Sequence, residues 1–156
     1  MSSDERFLER LLAALEESGV EAIVVGTVAA VLQGAPIMTQ DVDLLLRDTP
    51  KNREKIDRLC AALGGAKPIQ ASPLSSTVTL VGPSIAVDLV FDQIPPGLGF
   101  EKIRSRAVRV PVGSRVAVVA SLADVVTSKE ASARPKDLAQ LPILRDTLRV
   151  KRSLES

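Results

Sequence analysis

Apolar positions recur at helical spacing near the start of the chain. Phe7, Leu8, Leu11, Leu12 and Leu15 are separated by Arg and Glu, which predicts an amphipathic helix over 4–18 that Gly19 ends. The period then changes. A short strand is predicted over 20–25, and its apolar run, 22–25, stops abruptly at Gly26-Thr27. A small-residue helix is predicted over 27–33, a loop at Gly34-Ala35-Pro36, and a second strand over 41–46. Asp48-Thr49-Pro50 punctuates the chain before a helix over 51–63, with Ile56, Leu59, Cys60 and Leu63 facing inward and Gly64-Gly65 at its end.

The middle of the chain is strand-rich. Residues 77–81 and 85–91 read as a hairpin around Gly82-Pro83-Ser84, and 93–99, with Pro95-Pro96-Gly97, as a loop. Two more short strands are predicted over 107–112 and 115–119, around Gly113-Ser114. Ser121 opens a helix to about residue 132, with Asp124 completing an S-x-x-D capping pattern. Arg134-Pro135 breaks the chain, and a last helix follows from 136 to about 150, through Pro142, with 151–156 expected to fray. This order predicts an α+β (mixed α/β) fold with a helical C-terminal part.

At 156 residues the chain is read as one domain, residues 1–156, with a core at about 20–120 and a helical part at about 121–152. A hydrophobic content of 46% with 25% charged residues is the profile of a globular protein. The net charge of +1 exerts no global pull toward nucleic acid or membrane, so a basic surface has to be local. The single cysteine, Cys60, excludes a disulfide framework and a cysteine metal cluster, and suits a reducing compartment. Residues 1–10 are too polar for a signal peptide, and no apolar run approaches a membrane span, so the expected location is cytoplasmic, with no membrane partner.

The absences narrow the chemistry. With no histidine, serine–histidine triads and histidine metal sites are out. There is neither a P-loop nor a GxGxxG, and the lack of Trp and Tyr, with three Phe, argues against an aromatic stacking platform for RNA or single-stranded DNA. Carboxylates, Lys and Arg, hydroxyls and backbone amides remain. That vocabulary suits a hard, oxygen-ligated cation and phosphate chemistry.

Two carboxylates, Asp41 and Asp43, stand beside an otherwise apolar strand. Residues i and i+2 of a strand share a face, so the two are expected to project together. Asp88 is the second anomaly, a solitary carboxylate on the face opposite Ile85, Val87, Leu89 and Phe91. If the strands are neighbours, three carboxylates converge and could hold one or two Mg²⁺. A D-x-D can equally end a strand on a solvated edge. Gly26 would let a phosphate approach the backbone, and Thr27 adds a hydroxyl at the start of a helix, although a plain strand-to-helix turn explains Gly26 as well.

Gly26-Thr27, the Asp41-Val42-Asp43 triplet and a later Asp88 together resemble the polymerase-β-like nucleotidyltransferase superfamily. Within it, the chain resembles small bacterial AbiEii-like nucleotidyltransferases, including toxins of toxin–antitoxin pairs. The matching residues are Val25-Gly26-Thr27-Val28-Ala29-Ala30, Gly34, Thr39, Asp41, Asp43 and Leu44, with a later segment at Lys129, Arg134, Lys136 and Asp137. The chain departs from the pattern at Thr27, where a methyl crowds the phosphate, and at Ile37, where the family carries arginine.

The resemblance implies a central mixed sheet flanked by helices and an enzyme that moves NMP from an NTP, ATP among them, to an acceptor hydroxyl. It implies Mg²⁺ (or Mn²⁺) held by Asp41, Asp43 and Asp88, with these three as the catalytic set. Gly26, Thr27 and Lys129 are the implied nucleotide-binding residues. Asp137 is expected to pair with Arg134 or Lys129. RNA is the preferred acceptor, with an antitoxin or other protein partner. Alternatives are a non-catalytic nucleotide-binding or protein-interaction module on the same fold, and a small-molecule, antibiotic-type transferase, for which the short C-terminal part leaves little room unless a dimer supplies the rest. Arg104, Arg106, Arg145, Arg149, Lys151 and Arg152, with Lys102, Arg109 and Arg115 nearby, could present phosphate contacts to RNA or be solvated charge on strand edges.

Overall fold

The structure is a computed structural model that describes residues 3–39, 41–70, 72, 77–83 and 85–155. Helix α1 (Ser3–Ser18) buries Leu8 and Leu11, as its spacing predicts. Strand β1 (Ala22–Val25) runs directly into α2 (Gly26–Leu32), and β2 (Val42–Leu46) follows the loop.

Thr49 caps α3 (Pro50–Glu54): its side chain accepts from the Asn52 amide, and Pro50 occupies the first turn. The helix predicted over 51–63 is two pieces, α3 and α4 (Ile56–Ala62), parted at Lys55. Asn52 gives a physical reason. Its buried side-chain amide donates to the carbonyls of Glu21 (3.1 Å) and Arg47 (2.8 Å) and accepts from the Glu21 N–H (2.8 Å). That ties α3 to the start of β1 and the end of β2, whereas α4 packs on α1.

Strand β3 (Lys67–Gln70) was not foreseen. It is exposed at all four positions, so it carries no alternation to read. Strands β4 (Thr77–Gly82) and β5 (Ile85–Phe91) form the predicted hairpin, whose Ser84 lies outside the described residues. The predicted loop at 93–99 contains a small ribbon, β6 (Gln93–Ile94) with β7 (Leu98–Gly99). Helix α5 (Phe100–Arg106) follows, then the antiparallel pair β8 (Val108–Val112) and β9 (Arg115–Val119). Lys102, Arg104 and Arg106 therefore lie on a helix rather than a strand edge.

Helix α6 (Leu122–Ser132) is capped as predicted, with the Ser121 hydroxyl accepting from the Asp124 N–H at 3.1 Å. Ala133, at φ 51°, turns the chain into α7 (Pro135–Glu155). That helix includes Pro142 and continues to Glu155, so the expected fraying over 151–155 is not observed.

The main sheet has seven strands in the order β3-β4-β5-β2-β1-β9-β8. Among the described residues, only the β2–β5 and β1–β9 pairings are parallel. The central strand β2 is covered on both faces, with Leu44, Leu45 and Leu46 each 0% exposed. The architecture is thus the expected mixed sheet flanked by helices with helices at the C-terminal end. Among the described residues, no helix is long and apolar enough to cross a membrane.

Candidate active site

The parallel pairing of β2 with β5 is in register, Asp43 opposite Asp88. On its other side Asp43 lies opposite Val25, and Asp88 lies opposite Thr79 of β4. Directly opposed residues share a face of the sheet, so a row of Val25, Asp43, Asp88 and Thr79 crosses four strands. Neighbouring strands are about 4.8 Å apart, which leaves the two carboxylates side by side. The Thr79 hydroxyl donates to Asp88 Oδ1 at 2.6 Å and fixes that carboxylate.

Asp43 has no such donor among the described residues. Burial pushes its pKa up to about 6, and the neighbouring Asp88 charge adds to the rise, while Lys129 pulls it back. Gly26 follows β1 at φ 70°, and a Cβ there would sit 2.6 Å from Asp43 Oδ2. The glycine is therefore explained by the close approach of the Asp43 carboxylate as well as by the positive φ.

The same cleft is lined by cations, Lys129 from α6 and Arg134 from the turn between α6 and α7. Lys129 is buried, with Nζ donating to Asp137 Oδ1 at 3.1 Å. Asp137, fully buried, also accepts from Ser132 (2.7 Å) and from Arg134 Nε (2.8 Å). Burial alone would raise the Asp137 pKa. The hydrogen bonds from Arg134, Ser132 and Lys129 outweigh it and hold the carboxyl well below the usual range. The pairing of Asp137 with Lys129 and Arg134 agrees with the sequence reading. Asp43, Asp88, Gly26, Lys129 and Arg134 all line one cleft of about 490 Å³.

Two expected members are placed differently. Thr27 is buried away from the cleft lining, and its hydroxyl donates to Gln140 Oε1 of α7 at 3.0 Å. Asp41 lies just before β2, exposed, and its Oδ2 accepts from Lys136 Nζ at 3.0 Å. Its strand-mate relation to Asp43 therefore does not bring it into the cleft lining, and among the described residues no three acidic or cysteine side chains are grouped to hold a metal. The sequence reading assigned Arg134 only to Asp137. Its place at the cleft follows from the turn at Ala133, for which the sequence offers only the Arg134-Pro135 break. Gln93, Ser128 and Ser132 also line the cleft without any signal in the sequence pattern.

The donor set fits a hard divalent cation. Two carboxylates side by side, without sulfur or imidazole, match Mg²⁺, which takes one or two carboxylates and completes its shell with water and phosphate oxygens. A cation there would also relieve the Asp43–Asp88 repulsion.

Neither a protein-family model nor a curated protein sequence matches the chain, whereas solved structures do. A candidate nucleotidyltransferase from Thermotoga maritima superposes with a TM-score of 0.60 over 92% of this chain and 91% of its own, at 19% identity. ANT(2'')-Ia, solved in complex with adenylyl-2''-tobramycin, does so with a TM-score of 0.66 over 97% and 92%, at 11% identity. An antigenic nucleotidyltransferase-like protein from Paracoccidioides brasiliensis gives 0.59 over 92% and 77%, at 16% identity. The chain thus has the fold of nucleotidyltransferases.

Proposed function

We propose that residues 1–156 act as one nucleotidyltransferase domain that moves NMP from an NTP to an acceptor hydroxyl. The observation that carries this reading is the in-register Asp43–Asp88 pair lining one cleft together with Lys129 and Arg134. A carboxylate pair and a cation pair in one cleft suit a metal-bound triphosphate.

Asp43 and Asp88 would hold Mg²⁺, with Asp41 joining them on release from Lys136. Bound there, the cation neutralises phosphate charge and acidifies a hydroxyl. Lys129 directs a positive charge at the phosphates, and Asp137 orients its ammonium. Arg134 directs Nε and Nη2 to Asp137, at 2.8 and 3.4 Å, and retains its Nη1 donors for phosphate oxygens. Asp88 accepts the acceptor's proton. The acceptor oxygen bonds to the α-phosphorus, the bond to the bridging oxygen breaks, and pyrophosphate leaves. Thr27 gives its hydroxyl to Gln140 away from the cleft lining, so of the Gly26-Thr27 pair Gly26 is the one that lines the cleft.

RNA, as the target of a toxin-type enzyme, is the first acceptor class. A small molecule is the second, and one observation favours it. ANT(2'')-Ia, whose solved complex holds adenylyl-2''-tobramycin, matches over 97% of this chain and 92% of its own length. Chains of similar extent can therefore carry such a product, which removes the objection that the C-terminal part is too short. In addition, Arg106, Arg145 and Arg149 are engaged on Asp124, Glu130 and Asp146, which thins the basic surface available to RNA.

The test is label transfer from each α-labelled NTP, with Mg²⁺, to total RNA and separately to tobramycin. Transfer with pyrophosphate release is expected for one acceptor, and Asp88→Asn should slow it by roughly 10²-fold or more. Equal labelling by wild type and Asp88→Asn would remove this mechanism. NTP binding without transfer to any acceptor would favour the non-catalytic module.

A further inference from the structure

The turn between β1 and α2 shapes the carboxylate side of the cleft. Gly26 is pressed so close to Asp43 that a Cβ there would lie 2.6 Å from Oδ2. A small shift of this turn therefore changes what Asp43 touches. The residue that caps α2 is Val25, which has no side-chain oxygen for the free N–H groups of the first turn. Among the described residues, the one side-chain hydrogen bond at residues 25–28 is long-range, from the Thr27 hydroxyl to Gln140 Oε1 at 3.0 Å. Thr27 is 4% exposed, so its hydroxyl depends on that acceptor.

Gln140 lies three residues after Asp137 on α7, on the same side of the helix. Asp137 holds Lys129 and Arg134, the cations of the cleft. One short stretch of helix thus carries both the anchor of the cations and the pin of the turn beside Asp43. Further along α7, Lys151 donates to Gln33 Oε1 at the C-cap of α2. Gln33 Nε2 in turn donates to the carbonyl of Ala120, a residue of the cleft lining, at 2.8 Å. Helix α7 is clasped to both ends of α2, yet none of its described residues lines the cleft.

We propose that Gln140 is a positioning residue of the transferase site. It acts through Thr27, holding Gly26 against Asp43 and keeping that side of the cleft in register with Lys129 and Arg134. The inference rests on the nucleotidyltransferase reading. It also gives the Thr27 methyl a role. Serine would donate the same bond, whereas a β-branched side chain is stiff about χ1 and keeps the hydroxyl aimed at Gln140.

Full-length wild type, Gln140→Leu, Thr27→Val, the double variant and Thr27→Ser are compared by amide hydrogen exchange and by calorimetric titration with the four NTPs and Mg²⁺. Ala29 and Ala30 close the first turn of α2. In Gln140→Leu and Thr27→Val their amides should exchange about tenfold faster, with those of Leu80 and Leu89 unchanged. Both variants should bind NTP about 3–10-fold more weakly, and the double variant no more weakly than either, because the two side chains act as one unit. Thr27→Ser keeps the donor and should stay within about twofold of wild type on both readouts. Exchange at Leu80 and Leu89 accelerated by the same factor would make the bond one of general stability and overturn the proposal. Additive losses in the double variant would overturn it too, as would wild-type NTP affinity in Gln140→Leu and Thr27→Val. No NTP binding by wild type would instead overturn the transferase reading and this inference with it.

Discussion

Asp43→Asn is expected to raise the melting temperature at pH 7.5 while abolishing nucleotidyl transfer. The folded-state pKa of Asp43 is pushed up to about 6, first by burial and then by Asp88. The folded protein therefore holds a proton that the unfolded chain, near the ordinary 3.8, gives up. For a carboxyl raised in this way, stability is full below the unfolded value and is lost as pH rises through about 6. Ionising Asp43 at neutral pH thus costs about 2–3 kcal/mol. Asparagine keeps the shape and removes the charge, so the variant should gain that amount, roughly 5–10 °C for a chain of this size. The gain should vanish near pH 4, which a series of thermal melts across pH will show. Millimolar Mg²⁺ should stabilise wild type and not the variant. A melting temperature equal to wild type at every pH would refute the strained carboxylate pair.

Asp137→Ala is expected to be the most destabilising change near the cleft. Asp137 is fully buried and holds Lys129, Ser132 and Arg134 together at the junction of α6 and α7. Removing it leaves the buried Lys129 ammonium without its partner, for which the typical penalty is about 3–5 kcal/mol. A drop on the order of 10 °C in melting temperature follows. The pH dependence has the opposite sign to that of Asp43. A depressed folded pKa stabilises above the unfolded value, near 3.8, and the contribution is lost as pH falls below it. Acid unfolding of wild type should therefore steepen below about pH 4, and Asp137→Ala should lack that component. Denaturant titrations at pH 7 and pH 3 measure both parts, and a variant as stable as wild type at pH 7 would show that the cluster is not structural.

The sequence pattern was most legible where burial imposes a period. The first helix, the strands on either side of Gly26, the β4–β5 hairpin and the Ser121 cap all follow from local chemistry. Asp43 and Asp88 stood out because an ion in an apolar strand demands an explanation. Their contact was not legible, because β2 and β5 are neighbours across a crossover and register is a property of the pairing, not of either segment. Exposed elements were missed for the converse reason. β3 buries nothing that could mark its phase, and the charged run of α5 reads equally as a strand edge. Thr27 and Asp41 have side-chain partners that the sequence pattern does not foresee. The threonine satisfies its hydroxyl on Gln140, 113 residues away, and the aspartate finds Lys136, 95 residues away, neither of which local pattern can anticipate.

A calorimetric titration of the four NTPs into the full chain, with Mg²⁺ and with chelator, tests the Asp43–Asp88 cleft without needing the acceptor. At least one NTP is expected to bind in Mg²⁺, with affinity falling about tenfold or more on chelation and in Asp43→Asn, a loss of roughly 1.4 kcal/mol or greater. No binding of any NTP, or the same affinity with chelator and in Asp43→Asn as in wild type with Mg²⁺, would contradict the assignment of this cleft to a metal-bound nucleotide.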